Sequence, residues 1–363
     1  MKKIFIPLVC LALAFVTFAS GCGCSGASPL TFTNGFYSSS TNANVPNTYS
    51  ETLVYKVSYI NNDQNYPSLT MPSDLAKKVT PNYVGTYTTT LRKVPYTGPQ
   101  SDIYGQDKVY NGLVYRLTSS LNILATYNVE GEDQPRIYND YINTSVYFCP
   151  QTLSFAPIYA TSTGSMTLVN ENGAKITTQT QRFEYTTLYN QNTYLLSKVV
   201  SAEQDGEFKE VINSSLTYPY VFKTIIDNTQ FLFSLRNAQT TLNSSITLPV
   251  ISPAYGVHKL LSVQHKAEHN EELSKGLLDA FTYNGNTLSA DEKMPVKKMV
   301  YAISSLETSG RTQYVTMQTK ESTKGTVPNK ALMTEYVEPL FAYGSMSTLG
   351  GLKYTLTTCQ ISE

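Results

Sequence analysis

Asp227-Asn228-Thr229-Gln230-Phe231-Leu232-Phe233-Ser234-Leu235-Arg236-Asn237-Ala238 is the best-punctuated helix in a chain otherwise dominated by strand signals, and it closes a longer run that begins at Tyr218. Asp227 can serve as N-cap, its carboxylate accepting the backbone N–H two or three residues on, while Gln230 can reach back to the cap's own N–H. Ile226 before the cap and Phe231 four residues after it can form a hydrophobic staple. Phe231, Leu232, Leu235 and Ala238 then share one face, which predicts a helix over about 228–238 with a Phe/Leu inner side. A helix of about 11 residues is marginal alone in water, so the flanking strands are expected to curl around it.

Working outward, the sequence alternates apolar and polar residues over short stretches punctuated by turns. Thr52 to Ile60 puts Leu53, Tyr55, Val57 and Tyr59 on one face and Val54, Lys56 and Ser58 on the other, the period of a half-buried strand. Tyr83 to Val94, Val109 to Leu117, Leu121 to Val129 and Asn143 to Phe148 read as further strands, with a loop at Pro95, Pro99 and Gly105. Asn172-Gly173 marks a tight hairpin, and a second hairpin joins Tyr194 to Ala202 with Glu207 to Leu216. Downstream, strands are expected at Ile246 to Val250, Lys259 to Ala267, Phe281 to Leu288 with a turn at Asn284-Gly285, Met299 to Leu306, Thr312 to Thr319, Leu332 to Tyr343 and Leu352 to Cys359. The fold class expected is mainly β, an antiparallel curled sheet, half-barrel or two packed sheets with one short helix. The body would cover 51–363, with a division into two subdomains near 200 left open.

Composition narrows the function. The 363 residues include only 15% charged residues, 28 tyrosines and no tryptophan, which favours β-structure with neutral polar faces. Lys+Arg and Asp+Glu balance at 27 each, and without Lys2 and Lys3 the chain is slightly acidic. Nucleic acid, which needs clustered positive charge, is excluded as a partner.

Lys2 and Lys3 precede a 15-residue apolar run, Ile4 to Phe18, too short for a comfortable membrane span but right for the core of an export signal. Ala19-Ser20-Gly21-Cys22 follows and resembles the lipobox of bacterial lipoproteins, departing from it at Ala19, where that family most often has Leu. The resemblance implies cleavage between Gly21 and Cys22, a diacylglyceryl thioether on Cys22, and residence on the outer face of a bacterial membrane. Ordinary signal cleavage near Ser20 is the alternative. Residues 23–50 lack charge and nearly all aliphatics and read as a tether, on the order of 30 Å long as a flexible coil. Gly21-x-Gly23-x-x-Gly26 follows no strand and opens no helix, so it is no nucleotide-binding loop.

The 227–236 stretch, together with the late segment Gly350-Gly351-Leu352-Lys353-Tyr354-Thr355-Leu356, resembles a bacterial envelope family catalogued as domain of unknown function 3108. That resemblance covers residues 51–358 and implies an exported β-rich protein, a half-barrel wrapped on a helix, with no reaction attached.

Candidate chemistry is sparse. His265-Lys266-Ala267-Glu268-His269 matches His-x-x-Glu-His, a zinc-peptidase pattern when helical. Here Leu261, Val263, His265, Ala267 and His269 alternate with polar residues as on a strand, which would hold the two imidazoles about 13 Å apart, too far to share one zinc. Cys149 and Cys359 are the pair to consider for a disulfide in an oxidising exterior, against a reading as two small buried hydrophobes. No cofactor is expected. The leading expectation is a lipid-anchored exported protein with a non-catalytic role, binding a hydrophobic or glycan ligand or an envelope partner. A surface zinc-dependent hydrolase using His265, Glu268 and His269, and a structural or adhesive lipoprotein, are the alternatives. Metabolic labelling with a radioactive fatty acid should mark the wild-type chain, and Cys22→Ala should abolish the label; label retained in that variant would refute attachment at Cys22.

Overall fold

Period-two alternation dominates the molecule as it does the sequence. The computed structural model describes residues 45–101, 107–148, 157–173, 175–189, 195–204, 207–217, 226–237, 242–252, 257–273, 280–287, 294–305, 311–319, 331–341 and 347–363. The first part of the chain forms β1 (Ser50–Ile60), a short helix α1 (Ser73–Lys78), then β2 (Val79–Ser101), β3 (Asp107–Val129), β4 (Arg136–Phe148), β5 (Pro157–Asn172), β6 (Lys175–Tyr189), β7 (Leu195–Gln204) and β8 (Glu207–Thr217). Each pairs antiparallel with the next, an uninterrupted meander.

The second part begins with β9 (Ile226–Asp227) and α2 (Asn228–Ser234), which runs into a 3-10 turn at Leu235–Asn237. It continues through β10 (Ser245–Ser252), β11 (Val257–Leu273), β12 (Ala280–Tyr283), β13 (Asn286–Thr287), β14 (Met294–Ser305), β15 (Arg311–Thr319), β16 (Ala331–Phe341) and β17 (Thr348–Ser362). β11 pairs with β14, and β14 to β17 form a second meander. β1 lies between β2 and β17 and joins the two parts into one sheet, of 17 strands among the described residues. Two short pairings, β9 with β10 and β12 with β17, are parallel. The large, mainly antiparallel sheet expected from the sequence is present, and among the described residues it does not close into a complete barrel.

Several boundaries differ from the sequence reading. Pro95 and Pro99 lie inside β2, opposite Leu113 and Val109, instead of in a loop. The ladder between β1 and β2 ends at Ser50 opposite Arg92, so beyond Arg92 that side of β2 has no β1 partner and a missing N–H breaks no bond there. The two strands expected at 109–117 and 121–129 are one, because the intervening Thr118-Ser119-Ser120 stays in register with Thr90-Thr89-Thr88 and Ser119 turns its hydroxyl into the interior. The six-residue α1, with Asp74 in its first turn and Lys77 and Lys78 in its last, was not anticipated.

The buried face of the sheet holds one large core, and α2 sits in it, packed on β3, β4 and β10. The helix is shorter than expected, and its surroundings differ from a sheet-covered amphipathic helix. Phe231 and Leu235 are buried as predicted, but so are Gln230, Phe233, Ser234 and Arg236, while Leu232 is only half-buried. Phe233 meets Phe148 of β4 with ring centroids 5.6 Å apart. Ala238 lies outside the described residues. A helix enclosed on nearly all sides needs no polar face toward water, which explains why the one-sided stripe misassigned Phe233.

Gly350 shows why the closing motif needs glycine. Its φ is +99° and a Cβ there would stand 2.6 Å from the Ile60 carbonyl oxygen, a conformation and a clearance only glycine tolerates. The packing around α2 predicts unequal losses: Leu235→Ala should cost about 2–5 kcal/mol, the range for emptying a closed core position, and Leu232→Ala distinctly less, both read from urea unfolding.

Candidate functional site

Three of the charged side chains that the fold buries, Asp227, Arg236 and Glu51, gather at the two ends of α2. At its start Asp227, fully buried, caps the helix by accepting the Thr229 N–H at 2.8 Å on Oδ1. Its Oδ2 accepts the Tyr189 hydroxyl of β6 at 2.6 Å. Burial pushes the Asp227 carboxyl up to about 6, and the hydrogen bonds from Tyr189, Thr229 and Gln230 pull the other way without cancelling it.

At the other end Arg236 turns inward. Its Nη1 and Nη2 donate to Glu51 Oε1 and Oε2 at 2.7 and 2.8 Å, a bidentate pair whose side chains are only 3% and 2% exposed. Tyr49 donates its hydroxyl to Glu51 Oε2 at 3.0 Å, and the Arg236 guanidinium lies 5.1 Å from the Phe233 ring centroid. Burial by itself would lower the guanidinium's pKa, but the Glu51 charge and hydrogen bonds raise it above the ordinary value. Burial first, and the neighbouring Glu51 charge second, raise the Tyr49 phenol well above its usual range. Sequence reading passed over this pair. Glu51 was visible only as the first charge after the tether, and nothing in the spacing of residues 51 and 236 signals that they meet.

Beside this cluster, next to Leu232 and Phe233, the free space is about 20 Å³. That is room for roughly one water, not for a lipid or a sugar.

The sequence-predicted residues fall elsewhere. β11 is extended through both histidines, as their period implied. His265 is buried and stacked on Tyr301, ring centroids 4.9 Å apart, whereas His269 is exposed. A register shift between His265 and Ala267 brings Glu268 Oε1 to 3.5 Å from His265 Nε2. Glu268 Oε2 meets Lys297 Nζ at 2.8 Å, a contact that lowers the carboxylate's pKa. Among the described residues no three His, Cys, Asp or Glu side chains converge as metal ligands would. Cys359 is buried on β17, opposite Leu53 and Phe281; Gly21, Cys22 and Cys149 lie outside the described residues. No described helix is long and apolar enough to cross a membrane.

No protein-family model matches this chain, and no curated protein matches it in sequence. Among solved structures it is similar to a β-barrel-like protein of domain of unknown function DUF1849 from Brucella abortus, at 9% identity and a TM-score of 0.44 over 87% of this chain and 99% of that one.

Two predictions follow from the helix ends. Glu51→Ala leaves Arg236 buried without its counter-charge and should cost about 3–5 kcal/mol, whereas the paired exchange Glu51→Leu with Arg236→Met should recover most of that loss in the same unfolding assay. For Asp227 the folded-state pKa, about 6, lies above the ordinary 3.8. Between those values the native state holds more protons than the unfolded chain, so this group's contribution to stability falls as pH rises through the window, by on the order of 3 kcal/mol. The isosteric Asp227→Asn should flatten that fall when unfolding is measured from about pH 4 to pH 7.

Proposed function

We infer that this chain is a lipid-anchored exported protein with a non-catalytic role, which meets its ligand or envelope partner on its outer surface instead of carrying a ligand inside. The observation that carries this reading is the small size of the space beside Leu232 and Phe233, about 20 Å³. A carrier of hydrophobic ligands would need a cavity of several hundred Å³ lined by apolar groups. Arg236, the charged group that lines that space, is engaged with Glu51, an arrangement that fixes the helix within the sheet. The anchor belongs to Cys22 and rests on Ala19-Ser20-Gly21-Cys22 following the apolar leader. With two or more acyl chains the attachment would be stable.

A hydrolase at His265 to His269 receives less support, since one imidazole is sealed against Tyr301 and the other points to solvent from an extended strand. The full-length wild-type chain should partition into the detergent phase of a cloud-point extraction, and Cys22→Ala into the aqueous phase. Organic extraction of the natively purified protein should release no stoichiometric small molecule. One equivalent of extracted lipid would overturn the surface reading in favour of a carrier, and an aqueous wild type would overturn the anchor.

A further inference from the structure

The outward positions of β1 to β4 carry a charge pattern that the fold does not require. Ser50, Thr52, Val54, Lys56 and Ser58 alternate with buried residues on β1, as do the even-numbered residues Asn82 to Arg92 on β2 and Arg116 to Thr126 on β3. The odd-numbered residues Ile137 to Tyr147 do so on β4. None of these positions is Asp or Glu. Yet Arg92 and Arg116 stand directly opposite each other across β2 and β3, a like-charge pairing that weakens a ladder.

The row continues. Arg116 is opposite Tyr147 of β4, and Tyr147 is opposite Tyr159 of β5. Both arginines are exposed. Arg92 Nε donates to Ser50 Oγ at 3.2 Å and Arg116 Nε to Ser145 Oγ at 3.1 Å, and neither guanidinium has a carboxylate partner among the described residues. Those bonds hold the two forks in place through one nitrogen each. The Arg116 guanidinium lies 5.6 Å from the Tyr147 ring centroid. Tyr147 in turn lies 4.6 Å from Tyr96 and 6.1 Å from Tyr159, ring to ring.

We propose that this row, Arg92, Arg116, Tyr147 and Tyr159, binds an anionic glycan. Arg92 leans toward β1 and Arg116 toward β4, so each guanidinium meets its own carboxylate or phosphate group along the polymer through its remaining N–H groups, and sugar rings rest on the half-buried Tyr147 and Tyr159, whose faces are apolar and whose hydroxyls can hydrogen-bond. A bilayer is the poorer occupant. The row's own aliphatic residues, Val114 and Ile158, are sealed in a cluster with Tyr96. Of the exposed aliphatics, those at the outward positions of β2 to β4 named above, Val84, Leu124 and Ile137, cluster around Val84, eight residues or about 26 Å along β2 from Arg92.

This assignment rests on the surface-binding reading above and names its ligand class; the detergent partition of Cys22→Ala reads anchoring independently of it. The test titrates the full-length chain in detergent with polygalacturonate, with poly(glycerol phosphate) and with neutral dextran, all of matched length. Wild type should bind polygalacturonate, with affinity falling as salt is added, and should ignore dextran; binding of poly(glycerol phosphate) alone, which has charge but no sugar ring, would overturn the glycan assignment. The double variant Arg92→Gln, Arg116→Gln should lose about tenfold or more, and Arg116→Lys, which keeps charge but not the fork, a smaller part of that. Tyr147→Leu should also weaken binding, while Lys56→Gln, on the same face but off the row, should not. Should the double variant fail to fold by circular dichroism, Arg116→Lys and Tyr147→Leu decide the matter. Binding to neither charged polymer, equal binding to dextran, or undiminished binding by folded variants would overturn the proposal. So would arginine-dependent capture of phosphatidylglycerol vesicles without polymer binding, which would make the row a membrane contact.

Discussion

The bidentate contact between Arg236 and Glu51 is the constraint on which the interior depends. Glu51 sits on β1, and β1 is the strand that joins the β2 to β8 meander to β17 and the rest of the sheet. Arg236 closes the central helix. The pair therefore fastens the helix to the seam between the two parts of the sheet, while Asp227 at the other end fastens it to Tyr189 on β6. Two charged groups taken from water cost several kcal/mol each, and their attraction offsets this only when geometry and remaining hydrogen bonds are good. Here both carboxylate oxygens are engaged, one of them also by Tyr49. What such a pair contributes is position more than net stability: a seven-residue helix that could otherwise slide along a greasy concave surface has one placement in which neither charge is stranded.

Much of this architecture was legible in the chain. The Asp227 cap, the Asn172-Gly173 and Asn284-Gly285 turns and the strand period around Leu53, Tyr55 and Val57 are local signals, and local signals survive folding when tertiary packing agrees with them. The two-residue period of residues 261–269 is a signal of the same kind, and by itself it separates His265 from His269. What failed was everything set by distant partners. Pro95 and Pro99 read as loop because proline breaks ladders, and nothing local reveals that β1 has ended by then. The inner face named from the stripe, Phe231, Leu232, Leu235 and Ala238, did not include Phe233, Gln230 or Ser234, because the stripe rule assumes one covered face. Glu51 and Arg236 are 185 positions apart, and the row from Arg92 to Tyr159 exists only once three registers are known.

The tyrosines show how the sheet fills the space it encloses. A wide curled sheet with one short helix at its centre leaves more volume than aliphatic side chains reach easily, and the chain has no tryptophan. Tyr49, Tyr55, Tyr83, Tyr87, Tyr115, Tyr127, Tyr301 and Tyr354 are buried instead. A buried phenol needs a partner for its hydroxyl. Tyr55 donates to the Met333 carbonyl at 3.1 Å across the interior, and Tyr83 and Tyr127 bond each other at 2.9 Å with rings set edge to face. The half-buried Tyr59 reaches the Leu349 carbonyl at 2.6 Å.

Such contacts make the tyrosines struts as well as filler, because a hydroxyl bonded to one carbonyl fixes the ring in a way that dispersion alone does not. This use of tyrosine bears on function. An interior propped by directional bonds cannot widen for a guest without breaking several of them at once, each leaving a buried polar group unsatisfied at about 1–3 kcal/mol. Tyr55 and Tyr87 line the small space beside Leu232, so opening it would disturb Tyr55's bond to the Met333 carbonyl and the Tyr55–Tyr87 ring contact. The same residue type that would suit a binding groove is, on the inside of this sheet, what keeps one from forming. On the outer face the packing is looser: Tyr147 and Tyr159 are only half-buried against Val114 and Ile158.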